Sequence, residues 1–580
     1  MRWAPPVSVI VCLLSSVAAW ATPPPARAAP STIVTGVANY TDGAPAAGAR
    51  IALANPDNGS FVAVIVADRD GHFNAKVRDG DYAIAVAAKD GFAWIAKQHL
   101  PAAELQISLS KECARLTSHV AGRQPAARLH LERRTHNTGD VFVAPVGTSG
   151  NVELCLPAGE YTAQVDTGLL SKITTFALPA GGTSVQLQGF PEADVKRAAP
   201  AVRGLRAEAS SIVDDFIVSK ARVIGLGEST HGTAELVSER GKLLFELVRR
   251  TDARVLLFEL DAITSLVLDD YINGGDVDLK QAIPDLGFWI TDTEEFIRFL
   301  GDLRAYNATI EDKVHLWGID LQNTTPPVNV LLANATALGI SPAQQAIIKR
   351  LDKRAKAVLD LSADERKALD ATLVRLSTPK SERRQDLILA LAAKSLRLQL
   401  GYWDGEMVTW YAARRDVGMA ELARFLMAQL HPAHAILWAH ITHVSRDPDD
   451  VSVGSHLAKD PEGYYGVGFY QYQGSARAWN AEGTAIAGHA IPAAPPFTVE
   501  RAVMNATGMP EVAWLPLRAL PPTWKRWLEL PRYVREVGAV FPWNNDLLTL
   551  RDLRASLDAI VVVRRGHDTT PTPTATTGRK

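Results

Sequence analysis

Acidic and histidine side chains follow four apolar, strand-like runs of this 580-residue chain. In an open parallel sheet, ligands bind in the crevice beyond the carboxyl ends of the strands. Placing charge at the end of an apolar strand costs desolvation, so the pattern favours function over packing. The residues are Glu228 and His231 after run 222–226, Glu259 after run 254–258, Asp320 after run 314–318, and His440 and His443 after run 433–438.

The pair Glu228 and His231 has the composition of a general base. His231 comes just before a predicted helix, with Ser229 or Thr230 as its N-cap, and the positive end of the helix dipole opposes protonation of an imidazole. A neutral imidazole is what a general base needs. Glu228 can hydrogen-bond one ring nitrogen and leave the other to take a proton from water. The pair therefore predicts hydrolysis by a histidine-activated water.

Four residues form the predicted substrate-binding set. Arg240 lies nine residues after His231 on the following helix, and Arg415 lies near the end of a charged helical stretch. Either arginine could orient a carboxylate or stabilise an oxyanion, although an arginine on a charged helix is more often a solvated ion-pair partner. Asp320 and His443 complete the set because they also follow strands.

The chain around these residues alternates apolar runs with helical patterns, which predicts an α/β domain with a mostly parallel sheet. A fifth run is 557–563. Leu236, Leu243 and Leu247 recur at helical spacing between the first two runs, so a crossover helix would place these two strands side by side. Residues 341–430 predict a helical insertion over the edge of the sheet.

The first third of the chain has a different texture. Short alternating runs separated by Gly, Asp, Asn and Pro turns are typical of all-β structure. The stretch 71–82 recurs as 150–161 at an offset of 79 residues, which indicates two copies of one β-sandwich module. With Gly36-Val37 and Asp70-Gly71-His72-Phe73, the first copy resembles the carboxypeptidase regulatory-like family. That resemblance implies spacing or binding and no chemistry.

The amino terminus has the three-part layout of a secretory signal peptide. Arg2 precedes an apolar run over 7–19, and small residues follow at 19–21 and 26–28. We therefore expect an exported protein, periplasmic or extracellular. In an oxidising compartment the two remaining cysteines, Cys113 and Cys155, can form a disulfide.

These patterns divide the chain into five segments. They are a signal peptide at 1–29, a β-sandwich at 30–110, its repeat at 111–192, an α/β domain with the predicted hydrolytic residues at 196–566, and a Thr- and Pro-rich tail at 567–580 that is expected to be disordered.

Charge and hydropathy exclude several classes of partner. The 61 Lys and Arg residues against 63 Asp and Glu residues give a net charge of −2, which supplies no attraction for nucleic acid or anionic membranes. After the amino-terminal run, no stretch approaches the roughly 20 uncharged apolar residues of a membrane-spanning helix.

Five motifs in order, over roughly 196–570, resemble the erythromycin esterase family. They are Gly227-Glu228-Ser229-Thr230-His231-Gly232 with Arg240, Glu259-Leu260-Asp261, Gly318-Ile319-Asp320, Arg415-Asp416 with Met419-Ala420-Glu421, and Ala439-His440 with His443. The resemblance implies a hydrolase that opens macrolide lactones with a histidine-activated water, so the expected partner is a small-molecule ester or lactone. No cofactor is assigned, and a metal remains an alternative.

The same resemblance implies roles for four residues. His231 is the base, Glu228 and Glu259 orient it or stabilise charge, and His440 is a second catalytic histidine. The chain departs from the family pattern at Ile441, Leu422 and the aromatic segment Phe288-Trp289-Ile290. These departures fall beside the predicted cleft, where they bear on the substrate more than on the hydrolytic machinery.

Three alternatives remain open at this stage. Ser229 in Gly227-Glu228-Ser229-Thr230-His231 is an imperfect match to a serine nucleophile elbow. His431, His434, His440 and His443 fall within 13 residues, but their spacing is not diagnostic of a metal site, so no metal ligands are assigned. A ligand- or haem-binding protein without catalysis is the third alternative.

Overall fold

A computed structural model describes residues 32–572 of this chain, apart from several short internal segments. These segments are 55–60, 78, 103, 122–127, 134–139, 147–149, 167–173, 189–191, 202–203, 206–207, 353–359, 404–410, 449, 481–484 and 542–546. The predicted signal peptide at 1–29 and residues 573–580 of the tail lie outside the described residues.

The first β-sandwich consists of seven strands in two sheets. Sheet order is β4-β1-β7 in one layer and β3-β2-β5-β6 in the other. Alternate residues such as Val34, Phe73, Ile84 and Ile107 are buried between the layers, because successive side chains of a strand point to opposite faces. The strands are β1 (Thr32–Tyr40), β2 (Arg50–Ala54), β3 (Phe61–Val66), β4 (His72–Val77), β5 (Gly80–Ala88), β6 (Gly91–Leu100) and β7 (Leu105–Leu109).

The second β-sandwich repeats this topology strand for strand. Its sheets have the orders β11-β8-β14 and β10-β9-β12-β13. Ala52, Ala85 and Ala87 of the first module pack into the core of the second, so the two modules share an interface. The strands are β8 (Ala114–Ala121), β9 (Arg128–Arg133), β10 (Asp140–Pro145), β11 (Asn151–Leu156), β12 (Gly159–Asp166), β13 (Thr174–Leu178) and β14 (Thr183–Gln188).

Cys113 and Cys155 form a disulfide in the second module. Cys113 directly precedes β8, Cys155 lies in the neighbouring strand β11, and their Cα atoms are 5.3 Å apart. The bond therefore joins two strands that are already paired in one sheet.

The link after the modules is attached to the α/β domain. Helix α1 (Glu192–Val195) buries Val195 against Tyr533. The guanidinium of Arg532 donates to the carbonyls of Asp194 and Val195. Residues 194–195 thus pack with the α/β domain, although its predicted boundary is residue 196.

The α/β domain contains a seven-stranded sheet and sixteen helices among the described residues. Its strands are β15 (Val223–Glu228), β16 (Ala253–Asp261), β17 (His315–Asp320), β18 (His434–His440), β19 (Tyr464–Gln471), β22 (Val512–Pro516) and β25 (Ala559–Val563), and two hairpins pair β20 (Gly474–Trp479) with β21 (Ile486–Ile491) and β23 (Arg532–Arg535) with β24 (Leu548–Arg551). The helices are α2 (Ala209–Ser219), α3 (Ala234–Arg250), α4 (Leu266–Ile272), α5 (Leu279–Asp285), α6 (Glu294–Asn307), α7 (Thr325–Ala333), α8 (Ala335–Leu338), α9 (Pro342–Arg350), α10 (Ala363–Leu376), α11 (Arg384–Trp403), α12 (Tyr411–Leu430), α13 (Ile441–Val444), α14 (Val453–Leu457), α15 (Val499–Thr507), α16 (Pro522–Trp527) and α17 (Leu553–Ser556).

The strand order of this sheet is β17-β16-β18-β15-β19-β25-β22, and all neighbours are parallel except β22 and β25. The predicted α/β class is confirmed. The prediction that β15 and β16 pair is wrong, because β18 lies between them. Strand β18 comes directly after the helical insertion, and its His440 is 181 residues from Glu259 of β16, so no local sequence pattern indicates this pairing. This order places the end of β18 between the ends of β15 and β16.

Helices cover both faces of the sheet. On one face, Leu236, Leu243, Phe296 and Leu300 of α3 and α6 pack on Ile224 and Leu256. On the other, Leu391, Met419 and Leu422 of α11 and α12 pack on Trp317 and Leu437. Helices α7 to α11 share a further apolar core. Helices α9 to α12 lie within the helical insertion expected over 341–430. Within the described residues, no helix is both long and apolar enough to cross a membrane.

The predicted disorder of the tail 567–580 is wrong for residues 567–572. These residues cross the amino-terminal ends of α3 and α6, where they form isolated β-bridges between Thr233 and Asp568 and between Thr293 and Pro571. Thr569 and Thr572 are buried. A composition rich in Thr and Pro predicts weak burial of apolar surface, but this segment is held by backbone hydrogen bonds instead.

Candidate active site

The candidate active site lies at the carboxyl edge of the parallel sheet. Glu228 at the end of β15 and His440 at the end of β18 are direct partners in the strand register. A cavity of about 580 Å³ opens at this edge. Among the predicted residues it is lined by His231, Glu259, Arg415, His440 and His443.

His231 is held by the buried carboxylate of Glu228. Its Nδ1 is 3.0 Å from Oε1 of Glu228, and the other oxygen, Oε2, accepts from the guanidinium of Arg240. Arg240 is buried and stacks on Trp438, with Cζ 4.0 Å from the ring centroid. Burial lowers the pKa of Arg240 to about 10 despite the charge of Glu228. Glu228 therefore fixes the orientation of the His231 ring and leaves its Nε2 free of this contact.

The loop that carries His231 leaves no room for side chains at its glycines. A Cβ at Gly232 would overlap the carbonyl oxygen of Arg477, and one at Gly227 would come within 3 Å of Ile441. Glycine at both positions lets the β15 end and the following loop lie directly against β20 and α13. This close approach brings His231 beside His440.

His440 faces His231 with ring centroids 4.7 Å apart. Burial and the neighbouring His231 hold its pKa well below the usual value, so the ring is neutral. Its Nδ1 accepts from the Thr442 amide at 3.4 Å and lies 2.9 Å from the Thr442 hydroxyl. The ring proton of a neutral imidazole then lies on Nε2. Within the described part of the chain, this Nε2 makes no hydrogen bond of ordinary geometry. The backbone of Ser229 raises the pKa of His440, but burial and His231 outweigh this effect.

Glu259 connects β16 to β18 through its side chain. The register of β16 shifts between Phe258 and Asp261, and such irregularities re-aim side chains at sheet edges. Oε2 of Glu259 accepts from the backbone amide of His440 at 2.7 Å. Burial would raise the pKa of Glu259, but the charges of His443 and Arg415 hold it well below its usual value. Glu259 is therefore a fixed negative charge that positions His440.

A buried ion cluster surrounds Glu259. His443 places Nε2 3.1 Å from Glu259 and Nδ1 2.7 Å from Asp416, and these carboxylates outweigh burial and raise its pKa to about 10. Arg415 binds Asp320 through Nε and Nη2 at 2.8 and 2.7 Å and donates to Glu259 at 2.9 Å. His443 is thus an imidazolium within this cluster, unlike His440.

Side chains from distant segments complete the cavity wall. An aromatic and apolar side is formed by residues 288–290, where Trp289 meets the His231 ring edge-on at 6.2 Å. Polar lining comes from Gln322, Thr442, Glu536 and Thr549. Glu536 is engaged by Arg551 through two hydrogen bonds of 2.9 Å.

The structure separates the predicted residues into two groups. His231, His440, Glu259, Arg415 and His443 line the cavity. The remaining three are buried behind it: Glu228 and Arg240 line a smaller adjoining cavity of about 20 Å³, and Asp320 lies under Arg415. Of the predicted substrate-binding set, only Arg415 and His443 line the cavity. Both form ion pairs with the carboxylate of Glu259.

Several residues of the cavity lining and of the ion cluster behind it were not predicted. Asp416 adjoins Arg415 in sequence, so its place could have been inferred from its neighbour. Thr442 lies between two predicted histidines, and its hydrogen bond to His440 was equally accessible to inference. Glu536 and Thr549 come from the β23 and β24 hairpin region, and no sequence signal connects that region to the cavity.

The four closely spaced histidines do not meet in space. His434 begins β18 and packs against Phe216, whereas His440 ends the same strand. His431 directly follows α12 and has a φ of 49°. Among the described residues, no group of three or more His, Cys, Asp or Glu is placed to hold a metal ion.

The surroundings of Ser229 bear on the alternative of a serine nucleophile. The Ser229 side chain is buried, does not line the cavity, and its Oγ makes no hydrogen bond to the described residues. A serine nucleophile requires a base within hydrogen-bond reach. The geometry around Ser229 supplies none among these residues.

Comparison with known proteins assigns the family. A model of the family described as erythromycin esterase matches residues 248–566 of this chain. The chain belongs to the erythromycin esterase family. The matched residues include Glu259, Asp320, Arg415, His440 and His443, and begin after His231.

One curated relative is similar to this chain in sequence, and two solved structures are similar in fold. An erythromycin esterase type I of Escherichia coli is 25% identical over 292 residues, covering 42% of this chain and 68% of its own length. A crystal structure of a Bacillus cereus protein superposes with TM-score 0.53 at 18% identity, covering 65% of this chain and 97% of that one. A succinoglycan biosynthesis protein superposes with TM-score 0.52 at 17% identity, covering 65% and 98%. Membership of the erythromycin esterase family supports a hydrolase.

Proposed function

We propose that this protein hydrolyses an ester or lactone of a small molecule with a water activated by His231. The observation that carries the proposal is the pairing of His231, oriented by Glu228, with a neutral His440 in the wall of one cavity. A base and a hydrogen-bond donor side by side are what addition of water to a carbonyl requires.

In the proposed mechanism, His231 Nε2 takes a proton from water while the water oxygen attacks the carbonyl carbon. The resulting imidazolium is stabilised by Glu228, whose charge is shared with Arg240. The oxyanion accepts from the Nε2–H of His440. Collapse breaks the carbon–oxygen bond, and His231 returns its proton to the leaving alkoxide. The products are a carboxylic acid and an alcohol, or one hydroxy acid from a lactone.

Glu259 acts in this mechanism as a positioning residue. It holds the His440 amide at 2.7 Å, and its own charge is fixed by His443 and Arg415. The pair in the cavity wall is therefore anchored on both sides by buried ion pairs. Preorganised groups of this kind need not reorganise as charge develops.

The proposed substrate is a compact ester or a macrolide lactone. The name of the Escherichia coli relative supports a macrolide, and the aromatic side of the cavity around Trp289 suits an apolar ring system. We also propose export to the periplasm or the extracellular space. A disulfide between Cys113 and Cys155 supports an oxidising compartment.

A substrate panel tests the proposal. Purified protein is incubated with simple esters, lactones and macrolides in water enriched in oxygen-18, and products are followed by mass spectrometry. We expect addition of one labelled water to at least one substrate, and its loss in His231→Ala. Binding without labelled product across the panel would instead indicate a ligand-binding protein. Full turnover by a folded His231→Ala variant would refute the mechanism.

A further inference from the structure

The segment 567–572, here called the C-terminal strap, makes backbone hydrogen bonds to the entrances of two helices. The carbonyl of His567 accepts from the Ala234 amide at 2.9 Å, and the carbonyl of Thr570 accepts from the Glu294 amide at 2.9 Å. The first amides of any helix lack acceptors within the helix. The strap supplies acceptors to both α3 and α6.

The strap also contacts the loop that carries His231. The Gly232 carbonyl accepts from two backbone amides, Thr569 at 3.0 Å and Arg477 at 2.9 Å. Gly232 is adjacent to His231 in sequence, and it is packed so closely that a Cβ would overlap Arg477. The position of the His231 backbone therefore depends on a contact with the last described residues of the chain.

The far end of the strap contacts the segment that follows the aromatic wall of the cavity. Pro571 forms a bridge with Thr293, and the Thr572 hydroxyl donates to the carboxylate of Asp292. Asp292 and Thr293 follow Trp289 and Ile290, which line the cavity. The strap thus joins the His231 loop to the aromatic wall, and both anchor points are buried at Thr569 and Thr572.

We propose that the C-terminal strap is a positioning element of the active site, and that the Thr569 amide is its contact with the catalytic loop. This inference rests on the proposed role of His231 as the base. Displacement of a catalytic group by about 1 Å can lower a rate by about 100-fold. Loss of the strap therefore lowers kcat more than it changes KM, because the strap contacts the His231 loop directly but reaches the aromatic wall only through Asp292 and Thr293, which do not line the cavity.

Two shortened chains and two substitutions test the proposal. Ending the chain at Gly566 removes the strap, whereas ending it at Thr572 keeps the strap and removes only residues 573–580. Thr569→Pro removes the amide that donates to Gly232, and Thr569→Ala keeps it. We expect kcat to fall by about 10- to 100-fold in the Gly566-terminated chain and in Thr569→Pro, with KM changed less than threefold. The Thr572-terminated chain and Thr569→Ala should match the parent.

A readout independent of turnover separates this inference from the proposed function. Hydrogen exchange of peptides covering 229–234 should accelerate when the strap is removed and not in the two controls. A synthetic peptide of residues 566–573, added to the shortened chain, should slow that exchange and restore kcat. If Thr569→Pro changed neither the hydrogen exchange of 229–234 nor turnover, the proposed positioning role of the strap would be wrong. If removal of the strap accelerated exchange but the parent protein hydrolysed no substrate, the structural role of the strap would stand and the proposed function would be rejected.

Discussion

The imidazole rings of His231 and His440 face each other with their centroids 4.7 Å apart, but the Nδ1 atoms of the two rings have different partners. Nδ1 of His231 meets the carboxylate of Glu228, and Nδ1 of His440 accepts from the Thr442 amide. A carboxylate stabilises a protonated ring, whereas an amide donor requires an unprotonated nitrogen. The pair is therefore asymmetric, with His231 suited to take a proton and His440 suited to donate a hydrogen bond.

Removing the base should abolish turnover without unfolding the protein. His231→Ala is expected to lower kcat/KM by at least about 10²- to 10⁴-fold, and Glu228 keeps Arg240 as its partner. The control is His434→Ala, at the other end of β18. Kinetics and thermal unfolding of both variants check this. Comparable activity in the two folded variants would contradict the assignment.

His440 should contribute to kcat through its Nε2–H. His440→Ala is expected to cost about 10²- to 10³-fold in kcat, the usual effect of losing one oxyanion donor, with a smaller change in KM. Because the pKa of His440 is depressed by burial and by His231, the ring stays neutral at physiological pH. The acid limb of the wild-type pH profile should therefore belong to another group. An unchanged kcat in His440→Ala would remove this residue from the mechanism.

Glu259→Gln should reduce activity by loosening His440. The amide keeps the shape of the side chain but removes the charge that faces Arg415 and His443. We expect kcat to fall and the pKa of His443, now about 10, to fall with it, because a carboxylate that favours its protonated form is lost. NMR titration of His443 and steady-state kinetics measure both effects. A fall in kcat with an unchanged His443 titration would contradict the coupling.

Asp261 should make the protein less stable as pH rises from about 4 to about 6. Burial and the neighbouring Asp320 raise its pKa to about 6, against hydrogen bonds from Ile263 and Thr264. The folded state therefore holds a proton that the unfolded chain has released, so the stability linked to this proton is full below about 4 and is lost by about 6. Two pKa units correspond to about 3 kcal/mol.

Asp261→Asn tests this linkage because the amide oxygen can still accept from Ile263 and Thr264. We expect the variant to be more stable than the parent at pH 7 and to have a flatter unfolding free energy between pH 4 and 6. Denaturant unfolding at several pH values supplies the comparison. Parallel curves for parent and variant would show that Asp261 does not titrate in this range.

The disulfide should be present in exported material and should stabilise the second β module. It closes a loop with a sequence separation of 42 residues, for which chain entropy gives up to about 4 kcal/mol. Intact mass should rise by two hydrogens on reduction, and Cys155→Ser should lower the unfolding temperature of the module. Free thiols in periplasmic protein would contradict both the bond and its role.

Local sequence patterns were sufficient for the repeated β-sandwiches and for the ends of the strands that carry the site. The 79-residue offset repeats the turn residues of one module in the other, and the seven strands follow in the same order. Glu228, His231, Glu259 and His440 follow apolar runs that the structure shows as β15, β16 and β18. Such features depend on residues close in sequence, where period and turn chemistry act.

Only the tertiary structure decided which of these ends are neighbours and which charges they hold. Strand β18 enters between β15 and β16 after a long helical insertion, so His440 meets Glu228 and Glu259 together. That pairing depends on long-range packing of α11 and α12, which no local period encodes. Likewise, the neutral His440 and the charged His443 lie three residues apart in sequence. Their different charges follow from the buried groups that surround each ring.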